Sequence, residues 1–491
     1  MLDTNKKMSI QVAKYELESL TKFQQDIHLT SNMSEDIISN FHRAFIKSTW
    51  YSSVPLKLKS SKDGSDTIYS VNNSFHFLLY SYMRFVLPAI RVKPNYKGRV
   101  RIAWCHNVGT NIVNHAVFRQ DDDTYQEWDN VWADIYFQFY QTAGAGKRES
   151  HDIGVGNVKY LEGWNEYLPS YPINVDQPWF YSMDHALAFP IFYKGSLTRA
   201  EHRYSFKTKI FDILRVQILS KDKTWKSTIN NVEKYLDVNT TTLKAPELWG
   251  RYSYITDPEI KWYKCKKSRS FYTRDVVVCD TPNPTTYNST AQIELQCVNP
   301  CLAFFWVAEN CDAIKLNNHS NYTTDAFDIY QGWDPIRTTS LIYGTTLRLD
   351  KMPSDHFSIA EPRKHFPSAP SESGFHGYSF AWDSTSYHGD IGIVFSVEMK
   401  AKLSCDIYNN NIFTSSAYDD DKKNVDEDEI ADSSYDETNK IVIQDKKAET
   451  LKTMESVTEE MSPKFVTRVR LLVVRKFTIT SDNEDYNFSI V

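Results

Sequence analysis

The sequence predicts an all-β protein made of two antiparallel β-sandwiches in tandem, and three observations carry that expectation. Short runs rich in β-branched and aromatic residues recur along the chain, separated by Asn, Gly, Pro and Asp turns. They form two groups of about equal weight on either side of a polar, Thr/Lys/Asn-rich stretch. The chain has 491 residues, 41% hydrophobic and 14% aromatic, which is too much for one ordinary core and enough for two.

Residues 9–27 place Ile10, Ala13, Leu17, Leu20, Phe23 and Ile27 three or four apart, the spacing of an amphipathic helix. Residues 1–25 therefore read as an N-terminal arm whose apolar stripe packs on the chain's own body rather than on a neighbouring subunit. The first sandwich spans 26–219, with strands expected at 54–59, 67–71, 76–87, 100–104 and 111–120. A helix is expected over 124–140, where Tyr125, Trp128, Trp132, Ile135 and Phe139 recur behind the acidic turn Asp121, Asp122 and Asp123. Strands return at 187–193 and 204–219, and the polar residues 220–246 read as a connector.

The second sandwich spans 247–491, with strands expected at 248–255, 275–280, 291–298, 303–309, 345–350, 377–382, 391–408 and 466–480. It carries an insertion over 415–463. Within this, 419–440 (DDDKKNVDEDEIADSSYDETNK) crowds carboxylates so densely that self-repulsion keeps it solvated, and a short surface helix is expected over 445–461.

The formal charge is −6, and the basic residues gather into no stripe, so direct nucleic-acid binding is not expected. The longest apolar candidate, FHFLLYSYMRFVLPAI (75–90), is broken by His76, Ser81 and Arg84, which argues against a membrane span. The N-terminus lacks the apolar run of a signal peptide, so assembly is expected in the cytoplasm, with unmodified sequons at Asn288, Asn318 and Asn321. Seven cysteines fit reduced thiols; Cys297, Cys301 and Cys311 lie close in sequence but match no paired Cys-x-x-Cys metal spacing.

No catalytic, cofactor-binding or metal-binding residue is expected. AGAGKRES (143–150) lacks the first glycine and the hydroxyl of a phosphate loop, GVGNVK (154–159) lacks the third glycine of a dinucleotide fingerprint, and the scattered His residues have no ligand spacing. Asp134 with Glu127 is the kind of acid pair that a chain with 62 acidic residues offers by chance.

Several stretches read as motifs. DIHLTSN and FHRAF (26–32, 41–45) resemble a D-x-Y-L-T-G-N, Y-R-R-H-T-N-F opening, and YSYMRFVLPAI (80–90) resembles a strand ending in L-P-x-V. RIAWCHNVGTNIVNHAVF (101–118) is similar to I-x-W-x-x-x-x-G-x-x-L-I, and TYQEWDNVWADI (124–135) to a helix with E-W-x-x-x-W. PWFYSMDHALAFPIF (178–192) matches P-F-W-F then A-L-P-L, and YSYITDPEIKWYKCKKSRSFY (252–272) is similar to Y-I-F-L-D-x-x-E-R-x-x-F. AFFWVAEN (303–310), TTLRLD (345–350) and HFPSAPSESGFHGYSFAWD (365–383) resemble L-x-W-V, L-x-L-N and H-x-x-x-P-x-x-G-I-Y-x-Y-S-F-A-L.

In this order, nearly end to end, the chain resembles the major capsid proteins of nucleocytoplasmic large DNA viruses, of the iridovirus, phycodnavirus and mimivirus kind. It departs at 384–392, where STSYHGDIG stands for H-Q-P-S-G, and in its acidic insertion.

The resemblance implies two jelly rolls side by side, a homotrimeric capsomer of six jelly rolls with near-hexagonal outline, and an icosahedral capsid assembled in the host cytoplasm. Implied partners are neighbouring capsomers, minor capsid and penton proteins and an inner viral membrane, with no cofactor and no enzymatic activity. The alternatives are a double jelly-roll scaffold or minor capsid protein, separated by abundance in virions, and a carbohydrate-binding β-sandwich protein, separated by glycan affinity.

Overall fold

The structure, a computed structural model, describes residues 11, 14, 50–120, 123–140, 147–182, 188–191, 200–221, 223–229, 231–238, 241–264, 268–280, 283–344, 346–385, 393–394, 401–407, 464–482 and 485–490. The 26–45 motifs, the AGAG residues 143–146 and the acidic insertion lie outside them, as does the N-terminal arm except for Gln11 and Lys14.

Among the described residues, sixteen principal strands build the two units. The first eight are β1 (Tyr51–Lys57), β2 (Asp66–Ser70), β3 (Phe77–Leu87), β4 (Val113–Gln120), β5 (Asp123–Asp129), β6 (Tyr171–Asp176), β7 (Ala200–Phe206) and β8 (Glu247–Ile255). The others are β9 (Ser268–Asp280), β10 (Ser289–Leu295), β11 (Pro300–Asn310), β12 (Ile336–Tyr343), β13 (Thr346–Pro353), β14 (Phe375–Ser379), β15 (Ala401–Ile407) and β16 (Lys464–Asp482).

One sheet of the first unit runs β1-β8-β3-β6 and the other β2-β7-β4-β5; the second unit repeats this order as β9-β16-β11-β14 and β10-β15-β12-β13. First pairs with eighth, second with seventh, third with sixth and fourth with fifth. A long antiparallel ribbon wrapped over itself gives this pattern, and it is a jelly roll made twice.

That order corrects the domain division at one point. Residues 247–255, assigned from sequence to the second sandwich, are the eighth strand of the first: β8 pairs with the whole of β1, from Tyr51↔Ile255 to Lys57↔Trp249, and with β3 on its other side. Nor is 220–246 a free connector. Trp225–Ser227 pairs with Leu214–Leu219, and Leu236–Val238 with Ile90–Val92. Polar residues there decorate sheet edges, which composition cannot tell from a linker.

The expected helix over 124–140 is half strand: β5 precedes a helix, α1 (Asn130–Tyr140). The register between β4 and β5 slips at Phe118/Arg119, whose partners are Gln126 and Thr124, leaving Tyr125 as an extra residue. Such a bulge resets the inward–outward alternation, so Tyr125 and Trp128 are both buried although three apart. Their spacing imitates a helix.

The 204–219 run likewise splits, β7 ending at Phe206 and Leu214–Leu219 joining Val100–Trp104 in another sheet. Sequence reading missed β6, β12 and the terminal strand Asp485–Ile490.

Alternation within β11 and β16 explains how the two rolls join. Phe304, Trp306 and Ala308 fill the core of the second roll, whereas Ala303, Phe305 and Val307 belong to a cluster shared with the first. In β16, Val469, Leu471 and Val473 face the second core while Leu472 faces the shared cluster. β11 is covered on both faces, so its sequence is a nearly continuous apolar run, as is the LLVV stretch (471–474) of β16.

Candidate functional site

Helix α1 is the wedge of this joint. The Phe305 ring centroid lies 4.9 Å from Phe139, 5.8 Å from Trp132, 5.9 Å from Tyr140 and 5.2 Å from Phe366. Gly377 in β14 permits the close approach, since a Cβ there would sit 2.8 Å from the Phe139 ring.

Beside the wedge runs a charged seam. Arg470, 1% exposed, donates to Asp129 of the first roll through Nε (3.2 Å) and Nη2 (2.5 Å), and to Asp280 through Nη1 (2.5 Å). Burial works against this cation, but the Asp129 and Asp280 carboxylates outweigh it and hold its pKa well above the usual value. Asp129 also accepts the Trp132 N–H (2.9 Å), capping α1. Arg468 bridges Asp280 and Glu309, each at 2.9 Å.

A second polar cluster closes the joint at the end where β11 finishes. Asp134 of α1, 2% exposed, accepts from Asn107 (2.9 Å) and Thr110 (3.1 Å) of the first roll and from Ser320 (2.5 Å) and Tyr322 (2.9 Å) of the second. Burial pushes its carboxyl up to about 6, and the Ser320 and Tyr322 hydroxyls act against that rise.

His106 contacts Glu162 through Nδ1 (2.6 Å) and Glu372 of the second roll through Nε2 (3.2 Å). Burial opposes its charge, but the Glu372 and Glu162 carboxylates outweigh it and hold the imidazole well above its ordinary value. A raised histidine pKa gives stability that is complete below the unfolded value of 6.5 and is lost as pH rises through the folded one. His106→Gln should therefore melt below the wild type at about pH 6, the gap closing only as the pH is raised well above the ordinary histidine value of 6.5. Thermal melts across that range check it, and a pH-independent gap would refute the assignment.

Among the described residues, the glycine stretch at 154–156 and the Asp134/Glu127 pair form no common site. Lys147–Val155 is a helix that the GVG residues end, Gly156 taking φ +92°; a phosphate cradle requires glycines before a helix. Glu127 is half-exposed against His115 at 3.6 Å while Asp134 is buried in the joint, so they share no site. Ser354, His376 and Asp334 do meet, but serine and carboxylate both address Nε2 (3.3 and 2.8 Å) and Nδ1 faces the Trp306 carbonyl. Nucleophilic activation needs them on opposite ring nitrogens.

Cys301 opens β11 and Cys311 follows its end, so an extended strand holds them roughly 30 Å apart. Burial pushes the Cys105 and Cys405 thiols up to about 12 and holds the Cys301 thiol well above its ordinary value. Alkylation of the native protein, read by mass spectrometry, should leave these three unmodified until the chain is unfolded; labelling at the native rate of an exposed thiol would contradict their burial. Among the sequons, Asn318 and Asn321 are 2% and 1% exposed, closed to any glycan in the folded chain. Asn288 is exposed in a left-handed turn.

Large apolar side chains also reach solvent. Tyr51, Tyr80 and Val86 do so on the outer face of β1-β8-β3-β6, where Tyr82 stacks on Trp249 and Arg251 lies 6.0 Å from the Tyr80 ring. Tyr160 and Tyr167 in the first roll, and Phe327, Tyr330, Trp333 and Trp382 in the second, are exposed as well.

Residues 266–443 match the family described as large eukaryotic DNA virus major capsid protein. The chain is 28% identical over 377 residues to the major capsid protein of Invertebrate iridescent virus 6, covering 70% of this chain and 77% of that one. It is 24% identical over 406 residues to that of Lymphocystis disease virus 1, covering 75% and 83%. Among solved structures, PBCV-1 VP54 superposes with a TM-score of 0.62 at 9% identity, covering 92% of this chain and 99% of that chain. The Faustovirus major capsid protein superposes with 0.61 at 8% identity, covering 90% and 92%. At such identities the structural likeness concerns the double jelly roll alone.

Proposed function

We infer that this chain, a member of the large eukaryotic DNA virus major capsid protein family, is the repeating subunit of a virion shell. The observation that carries this reading is the eight-strand order made twice and locked by a buried joint, on a chain whose relatives over 70% of its length are major capsid proteins. A rigid two-roll block suits tiling, because closed rolls hide most strand edges and leave loops and outer faces for contact.

Three copies then form a capsomer of six jelly rolls, and capsomers tile an icosahedral capsid with minor capsid and penton proteins over an inner membrane. Assembly is in the host cytoplasm, and the chain acts by contact rather than catalysis. Its arm is 1–25, its first roll ends with β8, and its second, with the 415–463 insertion, runs from β9. Exposed Tyr51, Tyr80 and Val86 are the kind of apolar side chains that subunit contacts cover. Light scattering on the purified protein should give about three chain masses or larger arrays; a stable monomer at micromolar concentration would overturn the trimer.

A further inference from the structure

We propose that the loop after β11 and the neighbouring helical turns of the first roll form a docking surface for an arginine-bearing segment of a partner protein. Phe327, Tyr330 and Trp333 lie within one short loop and are 54%, 70% and 55% exposed. They are held, not floppy. Asp325 accepts the N–H groups of Phe327 and Asp328, Asp328 accepts that of Tyr330, and Thr324 binds Trp333 through both backbone and side chain.

The base of the loop is fixed too, by Asn318 on the Ala326 carbonyl and Asn321 on the Asp325 carbonyl. Exposed aromatics carried on a backbone fixed in this way cost less ordering on binding than the same rings on a free loop. No glycan shields them, since both sequons of the loop are buried.

Charge names the partner's chemistry. From 316 to 333 the chain has Asp325 and Asp328 and no Lys or Arg, Asp334 being taken up by His376; Arg215 of the first roll, bound to Asn318 and the Glu162 carbonyl, offsets part of this charge. Across the joint, the Tyr330 hydroxyl donates to Glu162 at 3.3 Å, and Glu372 and Asp152 act on the same hydroxyl. Tyr160, 49% exposed, stands two positions before Glu162 in the same helical turn, its ring 5.8 Å from Tyr171, with Lys159 beside it. Aromatic faces fringed with carboxylates suit a guanidinium, which stacks on the one and donates in pairs to the other; an ammonium does only part of this.

The test uses the full chain and two labelled probes, nona-arginine and nona-lysine, followed by fluorescence anisotropy at low and physiological salt. Wild type should bind nona-arginine at least about fivefold tighter than nona-lysine, and Tyr330→Ser with Trp333→Ser should weaken it about tenfold or more. Trp382→Ser, at the far end of the second roll, should change nothing.

The acidic insertion is present in every variant, so its non-specific attraction cancels. Phe327→Ser and Asp328→Asn provide milder tests, and melting temperature and assembly state of each variant separate loss of binding from loss of fold or of trimer. Equal affinity of wild type and folded variants for nona-arginine would overturn the proposal. So would equal affinity of wild type for the two probes, or variant-sensitive binding to glycans or to neutral lipid vesicles in place of nona-arginine.

Discussion

Phe305→Ala is expected to destabilise the folded chain by about 3–5 kcal/mol, the range for removing a fully buried aromatic side chain. Phe305 is 0% exposed and touches rings from α1 and from Phe366, so its loss opens a cavity where the two rolls meet. Neither side closes the gap easily, because α1 is pinned at its start by Asp129 and through Asp134 by donors from both rolls. Equilibrium denaturation should show a lower midpoint and, as the joint weakens ahead of the separate cores, a broadened or two-step transition. Phe304→Ala, on the opposite face of the same strand, should cost as much but leave the transition's form unchanged, since Phe304 lies within the second core. Equal broadening in both variants would refute the division of faces.

Arg470→Met should cost a comparable amount, about 3–5 kcal/mol, for a different reason. Methionine fills much of the volume, but Asp129 loses its cation inside the joint while Asp280 keeps Arg468. An unpaired carboxylate out of water is more costly than the ion pair is favourable. Adding Asp129→Asn to Arg470→Met should therefore recover a substantial part of the loss, since the amide needs no counter-ion. A double-mutant cycle by denaturation measures that coupling, and strictly additive effects would remove the seam from the joint.

Much of the fold was legible in short stretches. Runs such as VRIAW and AQIELQCV carry the β-branched and aromatic content of strands, and their turns mark where strands end. The misreadings have particular causes. Tyr125 and Trp128 show helical spacing because a bulge against β4 resets the alternation, and that bulge depends on the partner strand. The joint was illegible: His106 and Glu372 are 266 positions apart, and Asp129 and Arg470 are 341 apart. Isolated His, Asp and Arg residues in a chain with 56 Lys and Arg and 62 acidic residues give no sign of which of them meet.

The sequence by itself determined the all-β character, the presence of two sandwich-sized groups and the resemblance to the capsid family, because composition and periodicity are local properties written in each strand. Tertiary structure alone decided that Glu247–Ile255 closes the first roll, and that β11 turns Phe304 to its own core and Phe305 to the neighbouring roll. It alone gathered Asp134, His106 and Arg470 at the joint. These outcomes depend on which distant strand completes a ladder and which surface covers the second face of a strand. Both are settled by contacts between residues hundreds of positions apart, and no short window of sequence records them.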